Sequence, residues 1–81
     1  MNKKISLNKA GQKFSFTLSS GDIIKRNSEL GTYAVAVISI QKGKYISVYG
    51  KVVESTNQYA FKVHEKIMLT LKPKTICDIL K

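Results

Sequence analysis

The residues that could support covalent or acid–base chemistry are few. His64 and Cys77 are the sole histidine and cysteine. Together they supply a base and a nucleophile in principle, but no glycine-rich elbow or matching carboxylate pattern accompanies them. Asp22 and Glu29 stand alone in turn-like stretches, without the second carboxylate that general acid–base work needs. Gly21-Asp22 and the isolated Gly43 do not make a phosphate-cradling loop. One His, one Cys and five scattered carboxylates give no metal-ligand spacing. The expectation is a chain that is not an enzyme and carries no metal or cofactor. His64, beside Glu65, reads as a surface or turn residue. Cys77, among apolar neighbours, reads as a small buried hydrophobe with a free thiol.

Binding chemistry is better represented. Fourteen Lys and Arg oppose five Asp and Glu, a net charge of +9, spread along the whole chain. Such a balance attracts polyanions, nucleic acid foremost, although it also serves plain solubility. All but one of these cations are lysine. Lysine meets phosphate as a point charge, whereas the forked arginine reads guanine edges, so backbone contact is expected over base reading. DNA and RNA are not distinguished. The candidate phosphate contacts are Lys25, Arg26, Lys42, Lys44, Lys51 and Lys62. Tyr33, Tyr45, Tyr49 and Tyr59 are interleaved with them. A sheet face carrying rings and lysines can stack bases and hold phosphates. The same tyrosines could instead cover the core edge or line a protein interface.

The elements that would position these residues are strands. Gly31 to Val53 predicts a hairpin that forms the spine of the domain. Tyr33, Val35 and Val37 fall on one face, and Ala34, Ala36, Ile38 and Ile40 on the other, as in a strand covered on both sides. Gln41-Lys42-Gly43-Lys44 supplies the connection. In the second arm, Tyr45, Tyr49 and Lys51 share one face, and Ile46, Val48 and Val52 the other. Alternation predicts further strands over Lys13–Leu18, Tyr59–Val63 and Lys66–Leu71. In the first, Phe14, Phe16 and Leu18 face a core, where Phe→Ala would cost about 3–5 kcal/mol. Residues 1–12 read as a flexible arm or an edge strand, with a turn opening at Gly11. Ser19-Ser20-Gly21-Asp22 is a turn. Ile23-Ile24 implies a central strand or a bulge, with a one-turn helix from Asp22 the other option. Ile76, Ile79 and Leu80, at spacings of three and four after Pro73, predict a short C-terminal helix. The fold class is all-β, or a β-rich α+β, in one domain spanning 1–81. It is a small antiparallel barrel or meander of roughly five to seven strands.

A core this small nets only about 3–5 kcal/mol without a staple, and one cysteine allows no internal disulfide. A partner chain, homodimeric or otherwise, is the remaining source of stability. The longest uninterrupted apolar run, Tyr33–Ile38, is far short of a membrane span of about 20 residues. Met1-Asn2-Lys3-Lys4 has no apolar segment behind it, so a cytoplasmic location is expected.

Lys13-Phe14-Ser15-Phe16-Thr17-Leu18, followed by Gly21-Asp22-Ile23-Ile24-Lys25, resembles a family motif. The pattern F-x-F-x-L followed by (N/G)-D-(L/I)-(I/V) occurs in the wedge and PAM-interacting region of compact type II-C CRISPR effector nucleases. The resemblance covers residues 13–53. It implies a small β-barrel, with Phe14, Phe16 and Leu18 in the barrel core, Asp22 in the turn, and the Gly31–Val53 hairpin following. The family's nuclease residues have no counterpart here, and its PAM-reading side chains have no match. The resemblance therefore implies an accessory that docks on a larger effector ribonucleoprotein, adding positive surface along DNA or bringing two effectors together. Two other readings stay open. One is an independent single-stranded nucleic-acid binder built on an OB-like or SH3-like barrel. The other is an inhibitor or adaptor from a phage or mobile element that acts through protein contacts alone.

Overall fold

A computed structural model describes residues 9–80. It contains six antiparallel strands in one sheet: β1 (Lys9–Phe14), β2 (Ile23–Ser28), β3 (Gly31–Lys42), β4 (Ile46–Ser55), β5 (Lys66–Leu71) and β6 (Ile76–Leu80). A 3-10 turn, η1 (Ser15–Thr17), follows β1. The strand order is β1-β6-β2-β3-β4-β5. This is the all-β class expected, as a meander whose last strand returns to the far side of β2.

The sheet must curl. β5 and β6 stand four positions apart in it, about 19 Å if flat. Yet the link from Leu71 to Ile76 is a tight turn, closed by the Thr75 amide donating to the Lys72 carbonyl at 3.0 Å. A stretched link of this length would reach only about 17 Å, and the turn shortens it further. The curl does not become a closed barrel. β1 and β5 remain the two edges. At this end the gap is bridged by η1, whose Ser15 and Phe16 amides donate to the Thr75 and Pro73 carbonyls at 2.8 and 3.2 Å. Two amides of the turn and two carbonyls of the link are satisfied in this way.

Two bulges bend the long central hairpin. The β3–β4 register shifts between Ala34 and Val35 and again between Val37 and Ser39. The second leaves Ile38 without a cross-strand partner, and Ile38 is exposed while Ile40 turns back against the core. The expected face shared by Ala34, Ala36, Ile38 and Ile40 is thus broken at residue 38, because a bulge inserts one residue and reverses the parity beyond it. On the other face the reading holds. Tyr33, Val35 and Val37 are buried, as are Ile46, Val48 and Val52 of β4, with Val35 paired to Val52 across the strands. With Leu18, Ile24, Leu71 and Cys77 they form the core, and Ile67, Leu69 and Ile79 pack partly against it. Ile24 points inward and β2 lies between β6 and β3, so the Ile23-Ile24 pair marks a central strand.

Four local expectations are corrected. Ile76–Leu80 is a strand, not a helix, because it is hydrogen-bonded to β1 on one side and to β2 on the other. A five-residue segment has little helical preference of its own to set against two ladders. Lys13–Leu18 is not a continuous strand. β1 stops at Phe14, and in η1 it is Ser15 that turns inward, fully buried, with its hydroxyl donating to the Lys72 carbonyl. Phe14 and Phe16 consequently face out, 45% and 41% exposed, and only Leu18 of the three is core. Tyr59–Val63 is part of a loop. Asn57 organises it: its side-chain oxygen accepts from the Tyr59 and Ala60 amides at 3.0 and 3.3 Å, and its carbonyl from the Phe61 amide at 2.9 Å. Such an Asn side chain offers the backbone an alternative to a ladder. Finally, Gly11 lies within β1, an edge strand spanning Lys9–Phe14, rather than opening a turn. Residues 1–8 of the expected arm lie outside the described residues.

The turn before β2 is as read. Gly21 has a φ of 98°, a backbone state that suits glycine. The Asp22 carboxylate accepts from the Ser19 amide at 3.0 Å and pairs with Lys13 Nζ at 3.1 Å.

Candidate nucleic-acid interface

The register divides the candidate residues into three groups. The first lies on the outer face of the sheet. Lys51 pairs with Ala36 on one side and Lys66 on the other, and Tyr49 pairs with Ser39 and Met68 in the next outward row. Tyr49 and Lys51 are half-buried, with Met68, Lys66 and Ile38 exposed around them. A half-covered ring therefore sits among exposed apolar side chains, with two lysines alongside. Lys25 faces outward on β2, in register with Ala34 and Asp78.

The second group is the tip of the central hairpin. Lys42 closes β3, Lys44 lies in the turn and Tyr45 follows it, all three exposed. The Gly43 amide donates to the Tyr45 carbonyl at 3.0 Å and holds the turn. Two ammonium groups and a ring thus share one protruding loop. The third group belongs to the loop between β4 and β5. Tyr59 is 99% exposed there, with Lys62 also exposed.

Two candidates point elsewhere. Tyr33 is a core residue whose ring stacks on Phe61, centroids 4.0 Å apart and planes at 18°. Its ring is engaged inside the molecule. Arg26, opposite Tyr33 in the β2–β3 register, is half-buried, and its Nε is buried with no hydrogen-bond partner among the described residues.

Cys77 and His64 are not arranged as an activated nucleophile and base. Cys77 is 1% exposed and free. Burial pushes its thiol pKa up, Arg26 pulls it the other way, and Asp78 adds to the rise. A thiol held in its neutral form is a poor nucleophile. His64 is exposed in a turn at φ 77°, with its amide donating to the Val52 carbonyl at 2.7 Å. Among the described residues no group of three His, Cys, Asp or Glu is placed to hold a metal ion. No helix among them is long and apolar enough to cross a membrane.

A further surface was not anticipated from sequence. The Phe14 and Phe16 rings stack with centroids 5.6 Å apart and planes at 9°. Ile76, paired with Phe14 across β1 and β6, is 59% exposed. Beside them runs an open groove of about 360 Å³ lined by Gln12, Lys13, Phe14, Thr17 and Ile76. Period-two alternation put both phenylalanines inside, and only the 3-10 turn at Ser15 puts them outside. The exposed Met68 was legible, since strict alternation over Lys66–Leu71 holds in β5.

Comparison of the chain with family models, curated proteins and solved structures finds no match.

Proposed function

We propose that the chain is a non-enzymatic accessory subunit of the cytoplasm. It docks on a larger nucleic-acid-processing protein or ribonucleoprotein and adds lysine contacts to the phosphate backbone beside it. The observation that carries this reading is the outer face of β3, β4 and β5. Tyr49, Met68 and Ile38 form an apolar surface there with Lys51 and Lys66 in the adjoining row. Tyr and Met are enriched at protein interfaces, and exposed apolar clusters rimmed by charge mark contact surfaces. The net charge of +9 favours a site next to a polyanion. The resemblance of residues 13–53 to type II-C CRISPR effectors names such an effector as the partner to test, although Phe14 and Phe16, which it implies are barrel core, face outward.

The test is gel filtration of the chain with a type II-C effector loaded with guide RNA, at low salt. Co-elution that is lost on Tyr49→Ala with Met68→Ala supports the reading. Separate elution under those conditions removes this partner. Binding to a nucleic-acid duplex, followed across salt concentration, tests the lysine part independently. A backbone contact shows log affinity falling linearly with log salt, at roughly 0.9 per phosphate neutralised.

A further inference from the structure

The stacked pair Phe14–Phe16 is the feature of this surface that charge alone does not explain. Phenylalanine rings 45% and 41% exposed on a chain of 81 residues present apolar area to water that a monomer gains nothing by showing. Their planes lie within 9° of parallel, so a third flat ring can continue the stack in a defined orientation. The adjoining groove, about 360 Å³, falls within the size range of sites that hold small planar groups. Its lining combines the apolar Phe14 and Ile76 with the polar Gln12, Lys13 and Thr17.

Those polar groups are partly engaged. Gln12 Nε2 donates to Asp78 at 2.9 Å, Lys13 Nζ contacts both Asp22 oxygens at 3.1 and 3.2 Å, and the Thr17 hydroxyl donates to the Phe14 carbonyl at 2.7 Å. These bonds hold the side chains in place. Among the described residues the Gln12 side-chain bond to Asp78 uses its amide nitrogen, and its carbonyl oxygen is the group that would accept from a ligand edge. Lys72 and Lys74 are exposed in the link that leads to Ile76, one of the groove residues.

We infer that the groove beside Phe14 takes an unpaired base of single-stranded nucleic acid, stacked on the phenylalanine pair, with the flanking phosphates met by Lys72 and Lys74. This rests on the nucleic-acid part of the function proposed above and adds a site to it. Charge decides the occupant: a chain with fourteen cations and five carboxylates is complementary to a polyanion. A duplex does not serve, because its base faces are buried in their own stack. Stacking accepts any base, so affinity here follows base exposure rather than sequence.

The experiment compares three ligands at low salt by fluorescence anisotropy: labelled oligothymidylate of about ten nucleotides, an abasic strand of equal length and charge, and a duplex. The unaltered protein is expected to bind oligothymidylate about 5- to 150-fold more tightly than the abasic strand, the range that one stacked base confers. Phe14→Leu with Phe16→Leu is expected to bring oligothymidylate down to the abasic affinity and to leave abasic binding unchanged. Equal affinity of the unaltered protein for oligothymidylate and the abasic strand overturns the base site while the backbone reading stands. A protein partner in the groove would give that result. Failure to bind any of the three ligands removes both. The comparison of ligands on the unaltered protein does not depend on how the double variant folds.

Discussion

Val35 Cγ1 on β3 occupies the space in which a side chain at Gly50 on β4 would begin. A Cβ at residue 50 would also lie 2.7 Å from the Ala36 carbonyl oxygen. The two strands can approach this closely only because residue 50 has no side chain. The contact sits between the two bulges of the hairpin. Gly50→Ala is therefore expected to cost about 1–3 kcal/mol through overpacking. For a domain of this size that lowers the melting temperature by roughly 5–20 °C, measurable by calorimetry. An unchanged melting temperature would mean that the hairpin is straighter than described.

The Tyr33–Phe61 stack fastens the β4–β5 loop to the core. Phe61→Leu keeps most of the apolar volume and removes the ring, so it should cost about 0.5–1.5 kcal/mol for the stacking and somewhat more for imperfect fit. Tyr59→Ala, two residues away and 99% exposed, should stay within about 0.5 kcal/mol of the parent. Urea denaturation of both variants distinguishes the loop described here from a strand in which Tyr59 and Phe61 share a face.

Asp22 links stability to acid. Burial acts to raise its pKa, but the Ser19 amide and the Lys13 ammonium outweigh this, and the net shift is downward. A carboxylate whose native pKa is lowered stabilises the fold above its unfolded value, near pH 3.9. That stability is lost as pH falls through the native value. Lys13 is 40% exposed, so solvent screens the pair and its contribution is held to about 0–1 kcal/mol. Asp22→Asn should lower stability at pH 7, and the difference from the parent should shrink below about pH 4. Thermal melts between pH 2 and pH 7 measure this. A difference that does not change with pH would show that the carboxylate's charge is irrelevant.

Cys77 acts at the alkaline end. Its native pKa is raised, chiefly by burial. The unfolded chain therefore loses the thiol proton first, near pH 8.5. Stability is whole below that value and declines as pH rises from there through the native pKa. The thiol should also react slowly with a colorimetric disulfide reagent until the protein unfolds. Cys77→Ala should remove the alkaline decline assigned to this group, and rapid modification of the folded parent would contradict its burial.

On the proposed function, Lys51→Ala and Lys66→Ala should each reduce the salt slope of nucleic-acid binding by about 1, without changing preference among sequences. Slopes equal to the parent's would place phosphate contact elsewhere, with the hairpin tip Lys42, Lys44 and Tyr45 the next surface to alter.

Much of the fold was legible because period-two alternation reports burial wherever a strand runs straight between ladders. Ile46, Val48 and Val52 pointed inward and Tyr49 and Lys51 outward as read, and Met68 lay opposite Ile67 and Leu69. The lysine excess and the lack of a catalytic pattern were also properties of composition and spacing alone.

What the chain alone left undetermined turns on tertiary pairing. Ile76–Leu80 became a strand because β1 and β2 flank it, and no local pattern encodes the presence of two neighbours. Phe14 and Phe16 came to the surface because Ser15 found the Lys72 carbonyl, 57 residues on, and turned the chain inside out at that point. Ile38 came out through a bulge beside the Val37–Gly50 pair, where the two backbones approach closely. Local sequence decides which residues alternate. Long-range hydrogen bonds and close backbone approach decide where the alternation stops, and here the base groove proposed beside Phe14 begins where it stops.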